Sequence, residues 1–146
     1  KEELLDWMVM ALAGRAAEEL VFGRVTNGAA NDLEKVTQIA RAMVFEWGMG
    51  ESVTSRTVRA DNYALSEETK RLRDTEQARI TDAAYVESQR LLSKHRPALD
   101  RIASALLDQE TLSRDALAAL FEGVEPESRS PDAVGVVRAL GADPTG

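Results

Sequence analysis

Apolar positions recur along this chain at three- and four-residue steps, the period of a helix with one inward face. From about Leu4 to Phe22 the stripe is Leu5, Met8, Val9, Leu12, Ala16, Leu20 and Val21, and Gly23 stands where a helix C-cap belongs. Ala11, Ala13, Gly14, Ala16 and Ala17 are small, so a neighbouring helix or loop can approach this backbone closely. Gly14 disfavours a helix relative to alanine, which points to packing as the reason for it. After Arg24–Gly28 a second helix is predicted from about Ala29 to Trp47, with Leu33, Val36, Ala40, Met43, Val44 and Trp47 on one face. Gly48 and Gly50 stop it. Residues 51–64 keep no period and read as a loop, with Val53 and Val58 in a short extended stretch.

Ser66 is a good N-cap for a long third helix, and Glu67 and Glu68 suit its positive end. Leu72, Ile80, Ala83, Ala84, Leu91 and Leu92 mark its inner face, to about Lys94. Pro97 fits only a first helical turn and so opens a fourth helix carrying Leu99, Ile102, Ala103, Leu106 and Leu107. Ser113 caps a fifth, with Leu117, Leu120 and Phe121 predicted to face inward. Beyond Gly123 the run Glu125–Pro131 has the composition of a linker, and 132–140 could add a short helix. The predicted fold is all-α, a bundle of about five helices over residues 1–122, with a loosely attached tail over 123–146.

Composition narrows the function. Alanine and leucine supply most of the apolar surface and aromatics are only 5% of residues, which favours helices over strands. The net charge of −7 argues against nucleic acid or an anionic membrane as the main partner, since both require a basic footprint. With no cysteine, disulfides, thiolate metal sites and cysteine nucleophiles are excluded. No apolar run approaches the ~20 residues of a membrane-spanning helix. Lys1-Glu2-Glu3-Leu4 reads like the interior of a helix, so the start suggests a segment of something longer.

Few residues can carry chemistry. His95 is the single histidine, which excludes a zinc site of the usual kind built within the chain and leaves no serine–histidine triad with a choice of base. Lying between Lys94 and Arg96 at a helix junction, it reads best as an exposed or end-capping imidazole. Glu18 and Glu19 point about 100° apart on a helix and so are not an acid–base pair by spacing. They read as solvated or structural, or as carboxylates that orient a metal ligand or a helix end. Asp32 falls in the first turn of the second helix, where free amides and the helix dipole favour an ionised carboxylate. By local sequence alone it is an ordinary helix-start acid that is also a competent zinc ligand.

The stretch Ala13-Gly14-Arg15-Ala16-Ala17-Glu18-Glu19-Leu20-Val21-Phe22-Gly23 closely resembles the peptidase domain of the FtsH family, the membrane-anchored ATP-dependent zinc metalloproteases. The resemblance continues through Thr26 to Glu34, Ala40 to Val44, Trp47-Gly48-Met49, Leu65 to Thr69 and Asp108 to Leu112, and so covers about Glu2 to Phe121. It implies a zinc held by two histidines of a His-Glu-x-x-His helix and one aspartate. The glutamate between those histidines is the general base. That aspartate lies in a Gly-Ala-x-x-Asp-Leu segment, matched here by Gly28 to Leu33, so the resemblance assigns Asp32 and no other residue as a metal ligand. It further implies a hexameric ring, polypeptide substrates fed by an ATPase module, and a place on the cytoplasmic face of the cell membrane, with this segment soluble and not itself touching the membrane.

The departures are specific. Neither His-Glu-x-x-His nor the ATP-binding Gly-x-x-x-x-Gly-Lys-Ser/Thr occurs in the chain. Gly50 stands where the family usually has serine, and the segment that follows is shorter than usual. The tail after Gly123 matches no known motif. Either the chain begins just past the histidine helix or that helix has been lost. In both cases the expectation is zinc and ATP as cofactors of a longer parent, with this segment inactive alone. The rival reading is a non-catalytic helical assembly module derived from the same domain.

Overall fold

A computed structural model describes residues 1–51 and 66–125, without the side chain of Ala29. Among these residues there are five α-helices and one 3-10 turn, and no strand. Helix α1 runs Glu2–Phe22, the turn is Asn27–Ala29, and α2 is Ala30–Phe45. Helices α3, Glu67–Lys94, α4, Arg96–Gln109, and α5, Arg114–Leu120, complete the order. The all-α expectation holds. The extended stretch expected within 51–64 and the tail beyond 125 lie outside the described residues.

The helix ends follow local chemistry. Gly23 closes α1 at φ 64°, its N–H donating to the Glu19 carbonyl, a conformation that glycine adopts without Cβ strain. Ser66 caps α3 by accepting from the Thr69 amide, and Ser113 caps α5 by accepting from the Ala116 amide. His95 is shared: it ends α3 and begins α4, its N–H donating to the Leu91 carbonyl, and its side chain makes no cap hydrogen bond. Pro97 sits in the first turn of α4, as its fixed φ requires.

Helices α1, α2 and α3 form the core. Met8, Leu12, Val36, Ala40, Met43, Val44, Ile80 and Ala84 make one buried cluster, with Leu4, Leu5, Trp7, Ile39 and Tyr85 packed on its edge. On α3 the inward stripe is Arg73, Glu76, Ile80, Ala83, Ala84 and Ser88. The sequence placed Leu72 there, but it is exposed. Ile80 and the alanine pair set the helix phase, and Leu72 falls one residue off it, so Arg73 and Glu76 point inward instead. Arg73 is accommodated over the Phe45 ring, its guanidinium carbon 4.3 Å from the centroid. Glu76 fills the space beside buried Gly50, where a Cβ would lie 3.0 Å from the Glu76 Cδ and closer still to Oε2.

Three other expectations are corrected. Val21 and Trp47 are exposed rather than on inward stripes. Gly14 is exposed, with nothing within 4 Å of where its Cβ would be, so no element described here uses its small size. Helix α5 has no buried residue; Leu117 and Phe121 are exposed, as are Leu106 and Leu107 on α4. The pair α4–α5 meets the rest at the start of α4, where Ala98 is buried and Arg96 donates to the Leu20 carbonyl at 3.4 Å; Arg101 ties α4 to α5 by donating to the Leu120 carbonyl at 3.0 Å. These helices have apolar faces but no deep partner among the described residues.

Candidate functional site

The end of α1 and the start of α2, which carries Asp32, are joined by a short connection bonded back to α1. Glu18, in the last two turns of α1, takes both polar groups of Thr26. The Thr26 amide donates to Oε2 at 2.9 Å, and the Thr26 hydroxyl lies 3.1 Å from each carboxylate oxygen. Thr26 is extended, with φ −105° and ψ 176°, and its hydroxyl oxygen accepts from the Gly28 amide at 3.3 Å. The 3-10 turn Asn27–Ala29 follows from that cap and runs directly into α2, whose first turn carries Asp32. Sequence reasoning left Glu18 between a solvated or structural role and an orienting one; in the structure its carboxylate is engaged with Thr26, the cap of the turn that follows α1.

Its neighbour Glu19 points to α3. The Tyr85 hydroxyl and the Gln89 side-chain amide both donate to Glu19 Oε2 at 2.6 Å. Burial, followed by the hydrogen bond to the Glu19 carboxylate and its negative charge, pushes the Tyr85 phenol above its usual pKa. The two glutamates thus work in different directions, as their angular separation requires.

Asp32 is itself accessible. Its side chain is 47% exposed, and Lys35 Nζ lies 3.6 Å from Oδ1, an exposed i,i+3 pair of small energetic weight. Leu33, the next residue, lines an open groove of about 540 Å³ with Leu12, Arg15, Val36, Thr37 and Tyr85, but Asp32 does not. Among the described residues, no three histidine, cysteine, aspartate or glutamate side chains converge on a point where a metal could sit. His95 belongs to the α3–α4 junction and is brought into no such group. The donor chemistry of Asp32 therefore fits one ligand of a metal, a hard carboxylate oxygen open to approach, and the described residues supply no further ligand.

A model of peptidase family M41 matches residues 1–120. The chain belongs to this family. The match spans the five helices and stops within the α5 end, in agreement with the resemblance read over Glu2–Phe121. Among curated relatives, an ATP-dependent zinc metalloprotease FtsH 3 from Symbiobacterium thermophilum is 40% identical over 144 residues, covering 90% of this chain and 23% of that protein. A protein of the same name from Conexibacter woesei is 44% identical over 141 residues, covering 89% of the chain and 19% of that protein. A YME1 homologue from Schizosaccharomyces pombe, also named an ATP-dependent zinc metalloprotease, is 38% identical over 125 residues, covering 84% and 18%. The chain thus spans about a fifth of the length of these relatives. Among the described residues no helix is long and apolar enough to cross a membrane.

Proposed function

We propose that this M41 segment belongs to a longer ATP-dependent zinc metalloendopeptidase, and that Asp32 is its acidic metal ligand. The observation that carries the reading is the placement of Asp32: a half-exposed carboxylate in the first turn of α2, on a connection braced from α1. The relatives' names supply the zinc, the ATP dependence and the proteolysis. Bound zinc would polarise the scissile carbonyl and lower the pKa of a water nucleophile. The residues of this chain would serve that chemistry by holding one oxygen ligand in a fixed direction, through a helix start that cannot swing freely. The remaining ligands and the general base would come from a His-Glu-x-x-His helix of the same polypeptide, and the chain alone would be inactive. In the assembled protein the substrates would be unfolded or membrane polypeptides, delivered by a hexameric ATPase ring at the cytoplasmic face of the membrane.

The rival reading, a non-catalytic assembly module, draws on the apolar side chains left outward, Met10, Phe22 and Leu107 among them. One comparison separates the two. In the longer protein, Asp32→Ala is expected to lower both zinc content and casein hydrolysis sharply while helical content holds. Full zinc and full hydrolysis in that variant reject Asp32 as the ligand. A longer protein that binds no zinc at all but still assembles through this segment favours the module.

A further inference from the structure

The connection between α1 and α2 contains more order than a tether requires. Residues 24–29 could join the two helices with any accessible backbone, yet Thr26 is gripped at two atoms by one carboxylate. The grip has a directional consequence. A threonine hydroxyl has a single hydrogen and a free rotor. Once that hydrogen is donated to Glu18, the oxygen lone pairs must face elsewhere, and the Gly28 amide occupies that direction at 3.3 Å. Glu18 therefore selects the rotor state in which Thr26 acts as the cap of the 3-10 turn. The turn ends at Ala29, whose successor begins α2, so the axis and phase of the first turn of α2 are fixed by this cap. Asp32 lies two residues into α2.

We propose that Glu18 is a positioning residue for Asp32, acting through the Thr26 hydroxyl and the Asn27–Ala29 turn. This rests on the reading of Asp32 as a metal ligand. Both carboxylate oxygens of Glu18 are engaged with Thr26, so its role is to set the direction from which the Asp32 carboxylate is presented. Two features favour this over simple stitching of helix ends. Glu18 is itself on a helix anchored by buried Ala16 and Leu12, so the reference point is rigid. Its effect reaches Asp32 along the seven residues Thr26 to Asp32, through the Thr26 side chain and then backbone.

The test uses zinc affinity in the longer protein, read by competition with a chelator, alongside circular dichroism and amide exchange at Gly28. Thr26 is exposed, so its variants fold even where Glu18→Ala does not. Asp32→Ala serves as the reference. Expected are a weakening of zinc affinity of about ten- to a hundredfold in Glu18→Ala and in Thr26→Val, the range typical when a group orienting a ligand is removed. Thr26→Ser, which keeps the hydroxyl, is expected to restore affinity to within about threefold, well inside that range. Gly28 exchange accelerates in Thr26→Val and stays slow in Thr26→Ser. A role confined to fold stability would lower the melting temperature of Thr26→Val and leave its zinc affinity untouched, and that result overturns the inference. If Asp32→Ala loses zinc while Thr26→Val binds as tightly as the parent, the positioning role falls and the ligand stands. If Asp32→Ala retains zinc, both fall together.

Discussion

At Gly50 and Tyr85 single atoms decide what the chain tolerates. Gly50 is buried against the Glu76 carboxyl, where a Cβ has no room. Serine, the residue usual at this position in the family, would force Glu76 out of its buried position. Gly50→Ser is therefore expected to destabilise the fold by about 1–3 kcal/mol, the range for overpacking, measurable by urea denaturation. Glu76→Ala in the same chain should recover part of that loss by making room. Tyr85 allows a test with pH. Its phenol is raised in the folded state, by burial first and then by Glu19, so the folded protein holds this proton longer than the unfolded one. The associated stability is complete below the unfolded phenol value of about 10 and is lost as pH rises through the higher folded value. Melting temperature should thus fall more steeply above about pH 10 in the parent than in Tyr85→Phe. At this scale the sequence was only partly readable: it named Asp32 by motif, but the grip of Glu18 on Thr26 is a contact across eight residues that no spacing rule announces.

Among the helices, starts and stops were the most legible features, because caps are local. Ser66, Pro97, Ser113 and Gly23 sit where the sequence placed them, and each is explained by its own hydrogen bond or fixed dihedral. Which face turns inward was less legible. On α3 the apolar scan chose Leu72 over Arg73 and Glu76, since a guanidinium over a phenyl ring and a carboxyl beside a glycine look polar in sequence. On α4 and α5 the scan found apolar faces correctly, but nothing in one sequence says whether a face meets a partner. Caps of equal chemistry should consequently differ in effect. Ser66→Ala, on the helix packed against both α1 and α2, is expected to lower global stability by about 1 kcal/mol. Ser113→Ala should leave the global transition almost unmoved and accelerate amide exchange within Arg114–Leu120 alone, because α5 buries nothing. Equal losses in global stability from the two would contradict this division of the bundle.

Across the molecule, the buried cluster belongs to α1, α2 and α3, and α4–α5 extends from it by a shared junction at His95. Family membership and fold class were both accessible from sequence, the one from ordered motifs and the other from helical period. The placement of α4–α5 was not, since it depends on surface that the motifs do not encode. One detail of the cluster has a chemical consequence. Of the four methionines, Met8 and Met43 are wholly enclosed, whereas Met10, two residues from Met8, is 66% exposed. Thioether oxidation needs peroxide at the sulfur, and a sulfoxide in the enclosed positions would be a polar group among aliphatic ones. Under dilute peroxide, mass spectrometry of this chain should find Met10 modified first, with Met8 following only at the rate at which the three helices part. Neighbouring methionines on one helix would then separate chemical wear at the surface from opening of the interior.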